Sequence, residues 1–234
     1  MARSLADSRR WAKDGFEEFR RTASALGEDA LDEPSTLPEW NRRHVIAHVA
    51  ANADALRNLM RWAATGTPTP MYASPEERTA GIVRGSRLTR DLLLGWLDRS
   101  GSQLEDAFDS LGPKQWEARV LTAQGRDVAA SEVPWLRARE VWVHAVDLAS
   151  ASAFDTQPDD FLLALVEDVV TKRSAAPTAA VDVVAGDRRW QIPGEGQAPR
   201  IRGTLPQIVS YLTGRAHRLP TADEAPMPRL GAWL

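Results

Sequence analysis

Leu5, Ala12, Phe16, Phe19, Ala23 and Leu26 recur at gaps of seven, four, three, four and three. That spacing keeps them on one side of a helix and predicts an amphipathic helix ending near Gly27. After the loop DEPSTLPEW, Val45, Val49, Asn52, Leu56, Leu59 and Ala63 form a second stripe, predicting a helix from about Asn41 to Ala64. The long loop TGTPTPMYASPEER closes on a capping box: Ser74 is placed to accept from the backbone of Glu77 while Glu77 reaches back, and Pro75 takes the first helical position. A third long helix is expected over roughly Arg87 to Ser110, with Leu88, Leu92, Trp96, Leu104 and Phe108 on its apolar side. A short extended piece is expected around Trp116–Thr122, and a fourth helix from about Pro134 to Ser150.

The pattern changes after Ala151–Pro158. A helix over Asp159–Lys172 is followed by AAVDVVAGDRRWQI, two short alternating runs around a Gly-Asp turn. The run PRIRG leads into Thr204-Leu-Pro-Gln207, a second capping box opening a helix through Leu212. The Pro-rich stretch PTADEAPMPRLGAWL reads as irregular. The expected fold is mainly α: a four-helix bundle over residues 1–152 and a small α+β domain over 153–234. No internal repeat is apparent.

Composition narrows the chemistry. The chain has 234 residues, a net charge of −3 and no cysteine, which excludes disulfides, thiolate metal ligands and a cysteine nucleophile. Any thiol chemistry must import its thiol. Of 29 basic residues only Lys13, Lys114 and Lys172 are lysine, and the arginines are scattered among acids. The lack of a basic stripe argues against nucleic acid. The N-terminal MARSLADSRRWAKDG lacks the apolar core of a signal peptide, and apolar runs such as Phe161–Val166 are too short to span a bilayer. A soluble cytoplasmic monomer without membrane partners is the expectation. Trp11, Trp40, Trp62 and Trp96 read as core or groove fillers.

The four histidines are His44, His48, His144 and His217. At about 100° per residue, His48 falls about 60° from the centre of the second helix's apolar stripe and His44 about 100° away. His48 is therefore placed to point inward. On the fourth helix, RAREVWVHAVDL, Glu140 and His144 lie four apart on one face, among Trp135, Leu136, Val141 and Trp142. A buried glutamate needs a partner. His48, Glu140 and His144 together form a candidate three-ligand metal site in the bundle core. Two histidines and one carboxylate suit catalytic zinc and non-haem iron alike. Asp147 shares the face of Glu140 and is a candidate orienter of a ligand.

The segments RRHVIAHVAANADALRNLMRWAATGTPTPMYASPEER and VLTAQGRDVAASEVPWLRAREVWVHAVDL resemble the mycothiol-dependent maleylpyruvate isomerases, and the likeness runs through nearly the whole chain. The resemblance implies a DinB-like metal-binding bundle with a small C-terminal α/β domain. It implies zinc held by His48, Glu140 and His144, the same triplet that the helical spacing singles out. It places the catalytic arginine at Arg215, in GTLPQIVSYLTGR, with Arg218 a lesser candidate. Read without the resemblance, Arg215 is a helix-end cation favoured by the macrodipole.

The implied reaction is the isomerisation of maleylpyruvate to fumarylpyruvate in gentisate breakdown: a thiolate adds to the alkene, the resulting single bond rotates, and elimination returns the trans alkene. Zinc and mycothiol are the implied cofactors. Arg126 and Arg78 are conceivable partners for a carboxylate or for the thiol. If Arg215 serves a metal in the bundle, the active site is expected between the two domains. The alternatives are a mycothiol S-transferase of the same type, an iron oxygenase, and a sensor that binds metal or thiol without catalysis.

Overall fold

The computed structural model describes residues 3–175, 179–196, 198–216, 219, 227–231 and 233. Helix α1 spans Leu5–Ser24 and opens on a box that spacing alone did not suggest: Ser4 accepts from Asp7 N, and the Asp7 carboxylate takes Ser4 N–H in return. A single turn, α2 (Glu28–Leu31), precedes the Pro-bearing loop. Helix α3 (Arg42–Thr65) is capped by Asn41 and stops at Gly66, whose φ of 72° suits a residue without Cβ. Helix α4 (Pro75–Gly85) begins as expected, with Ser74 Oγ accepting from Glu77 N at 3.2 Å. The return bond is not made, because the Glu77 carboxylate faces Arg84 at 3.4 Å.

Helix α5 spans Arg90–Asp109 and corrects the assignment of its apolar side. Leu92 is 56% exposed, whereas Leu93, Leu97, Gly101, Leu104 and Phe108 are buried. The buried stripe recurs at four, four, three and four, one residue out of phase with the one inferred from Leu88 and Leu92. A short α6 (Pro113–Trp116) leads to a hairpin of β1 (Arg119–Leu121) and β2 (Asp127–Ala129), in which Val120 lies opposite Val128. The expected extended piece is β1. Its partner is too short to show a period of its own.

Helix α7 (Val133–Asp147) packs along α1 and also touches α3, while α3 packs along α5. The close approach of α1 to α7 needs Gly15, where a Cβ would come within 2.6 Å of Trp142 and 2.7 Å of Val141. Helices α1, α3, α5 and α7 thus form a four-helix bundle around Phe19, Val45, Leu56, Leu93, Leu97, Phe108 and Trp135. The described chain divides into two compact units, the first reaching Ser152 and the second starting at Ala153.

The second unit holds α8 (Asp159–Ser174), β3 (Val181–Ala185), β4 (Arg188–Ile192), β5 (Arg200–Gly203) and α9 (Leu205–Leu212). Its mixed sheet runs β4-β3-β5, antiparallel then parallel, with Val183 opposite Trp190 and Ile201. The Gly-Asp turn is present, with Gly186 at φ 60°. The second box is complete: Thr204 N donates to Gln207 Oε1 at 2.9 Å and Gln207 N to Thr204 Oγ1 at 3.4 Å. Among the described residues no helix is long and apolar enough to cross a membrane.

Candidate metal centre

Asn41 fixes the start of α3 and so the phase of both its histidines. Its Oδ1 accepts from His44 N at 3.1 Å and lies 2.5 Å from His44 Nδ1. His44 is therefore engaged with its own helix cap. One turn on, His48 is only 5% exposed and points into the bundle. Its Nε2 lies 2.9 Å from Glu140 Oε2, and His144 Nε2 lies 3.4 Å from the same oxygen. The two imidazoles stand 4.8 Å apart and perpendicular. One ligand atom from each of His48, Glu140 and His144 lies within 4.8 Å of the other two.

Electrostatics leave Glu140 ionised and His48 neutral, whereas His144 holds a proton that a metal has to displace. Burial opposes the charge on Glu140, but the two neighbouring imidazoles outweigh it and hold its carboxyl well below the usual range. Burial pushes the His48 imidazole down, favouring the neutral ring that a metal requires. For His144 burial acts in the same direction, yet hydrogen bonds to Asp147 and Glu140 prevail and raise it to about 9. Two imidazole nitrogens and one ionised carboxylate oxygen converging in a buried core fit a divalent transition metal by their donor chemistry.

The two histidines are held differently. His144 Nδ1 donates to Asp147 Oδ2 at 2.8 Å, and the other Asp147 oxygen accepts from Thr36 Oγ1 at 2.5 Å. The Thr36 backbone adds a bond to the Asp147 carbonyl at 3.0 Å. His48 Nδ1 is buried with no hydrogen-bond partner among the described residues. Its ring is met edge-on by Trp40 at 5.5 Å, and Trp40 also stacks on His44 at 6.2 Å. One loop, Glu33–Trp40, thus touches both histidine ligands, through Asp147 on one side and by ring contact on the other.

Three further side chains belong to the surroundings. Arg137 is 2% exposed and spans the bundle from α7 to α3, where Nη1 donates to Val49 O at 2.8 Å and Asn52 Oδ1 at 3.0 Å. Burial lowers its guanidinium to about 10, opposed by the charge of Glu140. Tyr72, from the loop before α4, is raised by burial and feels both Arg78 and Glu140. Arg78 stands over the Tyr72 ring at 6.0 Å, and its charge reaches His48. Arg137 was legible in principle, since it lies three and seven residues before the two ligands of α7 and so on their face. Thr36, which lies 111 residues from Asp147, has no such signal.

The structure brings together His48, Glu140, His144 and Asp147. Arg215 lies in the second unit, just beyond α9, with its N–H donating to Ser210 O at 2.8 Å and Nη1 to Thr213 O at 2.6 Å. Arg218 and His217 lie outside the described residues. Arg126 is exposed at the turn between β1 and β2.

Residues 12–149, which contain all three ligands, match the family described as the mycothiol maleylpyruvate isomerase N-terminal domain. A crystal structure described as the mycothiol-dependent maleylpyruvate isomerase is 36% identical, covers 96% of each chain and superposes with a TM-score of 0.91. A variant of that enzyme with one histidine replaced by alanine matches with the same values. A comparison with curated proteins returns no match. The family match over most of the bundle and the identity across nearly the full length agree with the DinB-like architecture and the buried donor set: this chain belongs to the mycothiol maleylpyruvate isomerase family.

Proposed function

We propose that this protein is a zinc- and mycothiol-dependent isomerase that converts maleylpyruvate to fumarylpyruvate, working as a cytoplasmic monomer. The observation that carries the reading is the buried convergence of His48, Glu140 and His144 in a chain of this family. A divalent metal on these ligands supplies an external thiol with the charge stabilisation that makes it a thiolate near neutral pH. The chain has no cysteine to compete for that role.

The residues then have separable tasks. His48, Glu140 and His144 hold the metal. Asp147 keeps the proton of His144 on Nδ1, leaving Nε2 for the metal. Burial of the cluster between α3 and α7 limits water. Arg215 is proposed as the catalytic cation for a substrate carboxylate or for the enolate charge that develops during isomerisation.

The test is an assay of purified protein with maleylpyruvate and mycothiol, following isomer and thiol together with zinc content. The reading expects turnover that needs both zinc and thiol and consumes no thiol. Net loss of thiol into a stable adduct would instead identify an S-transferase. Full turnover after zinc removal, or without thiol, overturns the mechanism.

A further inference from the structure

The two histidine ligands differ in what fixes their rings. His144 gives its Nδ1 proton to Asp147, whereas His48 Nδ1 is buried with no hydrogen-bond partner among the described residues. A metal-binding histidine usually donates its second ring nitrogen to an acceptor, and that bond stops the ring from turning. His48 has to be oriented in another way. Its ring contacts Glu140 and His144, which are ligands themselves, and Trp40, which is not.

The backbone delivers Trp40 to this position. Its loop closes through a bridge between Pro34 and Asn41. Inside the loop, Ser35 N and Ser35 Oγ donate to Trp40 O at 3.0 and 2.8 Å, and Trp40 N donates to Leu37 O at 3.2 Å. Glu39, the preceding residue, takes a φ of 65°, a left-handed conformation that is costly without glycine and persists only where the surroundings impose it. Asn41 then caps α3, so Trp40 lies directly before the helix that bears both histidines it touches. The indole stacks on His44 at 6.2 Å with 27° between the planes. It meets His48 at 5.5 Å with 61° between the planes, and both distances lie in the range of aromatic pairs. The backbone bonds hold the loop whatever side chain stands at this position.

We propose that Trp40 is a positioning residue of the metal centre: its indole holds the His48 imidazole so that Nε2 faces the metal, the task that Asp147 performs for His144. The restraint is one of ring contact, so it calls for a flat aromatic side chain and not for a polar one. The inference rests on the reading of His48, Glu140 and His144 as metal ligands, within the proposed function. It does not depend on which substrate reacts there.

Trp40→Phe and Trp40→Leu are compared with the unaltered protein in zinc affinity, by competition with a chromophoric chelator. Visible absorption of the cobalt(II)-loaded proteins reports ligand geometry alongside. An aromatic contact of this kind corresponds to about 3- to 10-fold in affinity. Trp40→Leu should weaken zinc binding by that factor and alter the cobalt spectrum. Trp40→Phe keeps a ring and should stay within about twofold with the spectrum retained. Urea unfolding of the metal-free proteins registers any general loss of stability separately. Unchanged zinc affinity and cobalt spectrum in Trp40→Leu, whatever the unfolding shows, overturn the assignment. Equal weakening in both variants does so as well. An unaltered protein that binds neither zinc nor cobalt rejects the metal reading itself, and the role of Trp40 with it.

Discussion

Asp147, fully buried, accepts the Nδ1–H of His144 at 2.8 Å. That bond decides which nitrogen of His144 is available to the metal, and Thr36 in turn restrains Asp147. Thr36→Val should lower zinc affinity by about 10-fold, in line with the loss of an outer hydrogen bond, and Thr36→Ser should restore it. Competition with a chromophoric chelator measures both. Equal affinity in Thr36→Val would show that the hydroxyl serves the loop rather than the ligand.

His48 and His44 are one turn apart, yet only His48 meets Glu140. His48→Ala should abolish retention of zinc through gel filtration, while His44→Ala retains it. Removing His44 also costs Asn41 a ring contact, so a drop in melting temperature without metal loss is the expected mark of that variant.

Zinc loading should depend on pH through His144. Its ordinary value of 6.5 is raised to about 9, because Asp147 and Glu140 outweigh the cost of burial. In the metal-free protein this favours the charged ring, so its stabilisation is full below pH 6.5 and is lost as pH rises through about 9. Zinc must displace the Nε2 proton. Apparent zinc affinity should therefore rise about tenfold per pH unit from about pH 7 to about pH 9 and then level off, as titrations at three pH values would record. A flat profile would contradict a charged His144 in the metal-free state.

Arg215→Ala should keep zinc and lose turnover if this side chain acts on the substrate. Its Nη1 bond to the Thr213 carbonyl can be replaced by water, and circular dichroism checks that the variant folds. Normal kcat and KM in that variant would remove Arg215 from the mechanism.

Gly15 tests the frame that carries two of the ligands. A Cβ there would collide with Trp142 and Val141, which lie between Glu140 and His144 on α7. Gly15→Ala should destabilise the protein by about 1–3 kcal/mol in urea unfolding, since two rigid side chains must yield. Unaltered stability would mean that α1 can move away from α7 without loss.

Much of this was legible in the chain because the decisive patterns are local. The stripe from Val45 to Ala63 fixes a helix that turns His48 inward, and the four-residue spacing of Glu140 and His144 puts both on one face. The Thr204–Gln207 box and the Gly186 turn are equally local, and both appear as expected. Where two phases competed, as on α5, local pattern misled: Leu92 and Leu93 are equally apolar, and only packing in the bundle selected Leu93 for the core.

The lack of cysteine and the identities of the three ligands are properties of the sequence. That His48 meets Glu140 across 92 residues and that Thr36 restrains Asp147 across 111 are properties of the folded chain. The physical reason is the range of the forces involved. Helix phase and capping are set within a few residues, whereas the hydrogen bonds and charges that tune a metal site act between segments that only the packed bundle brings together.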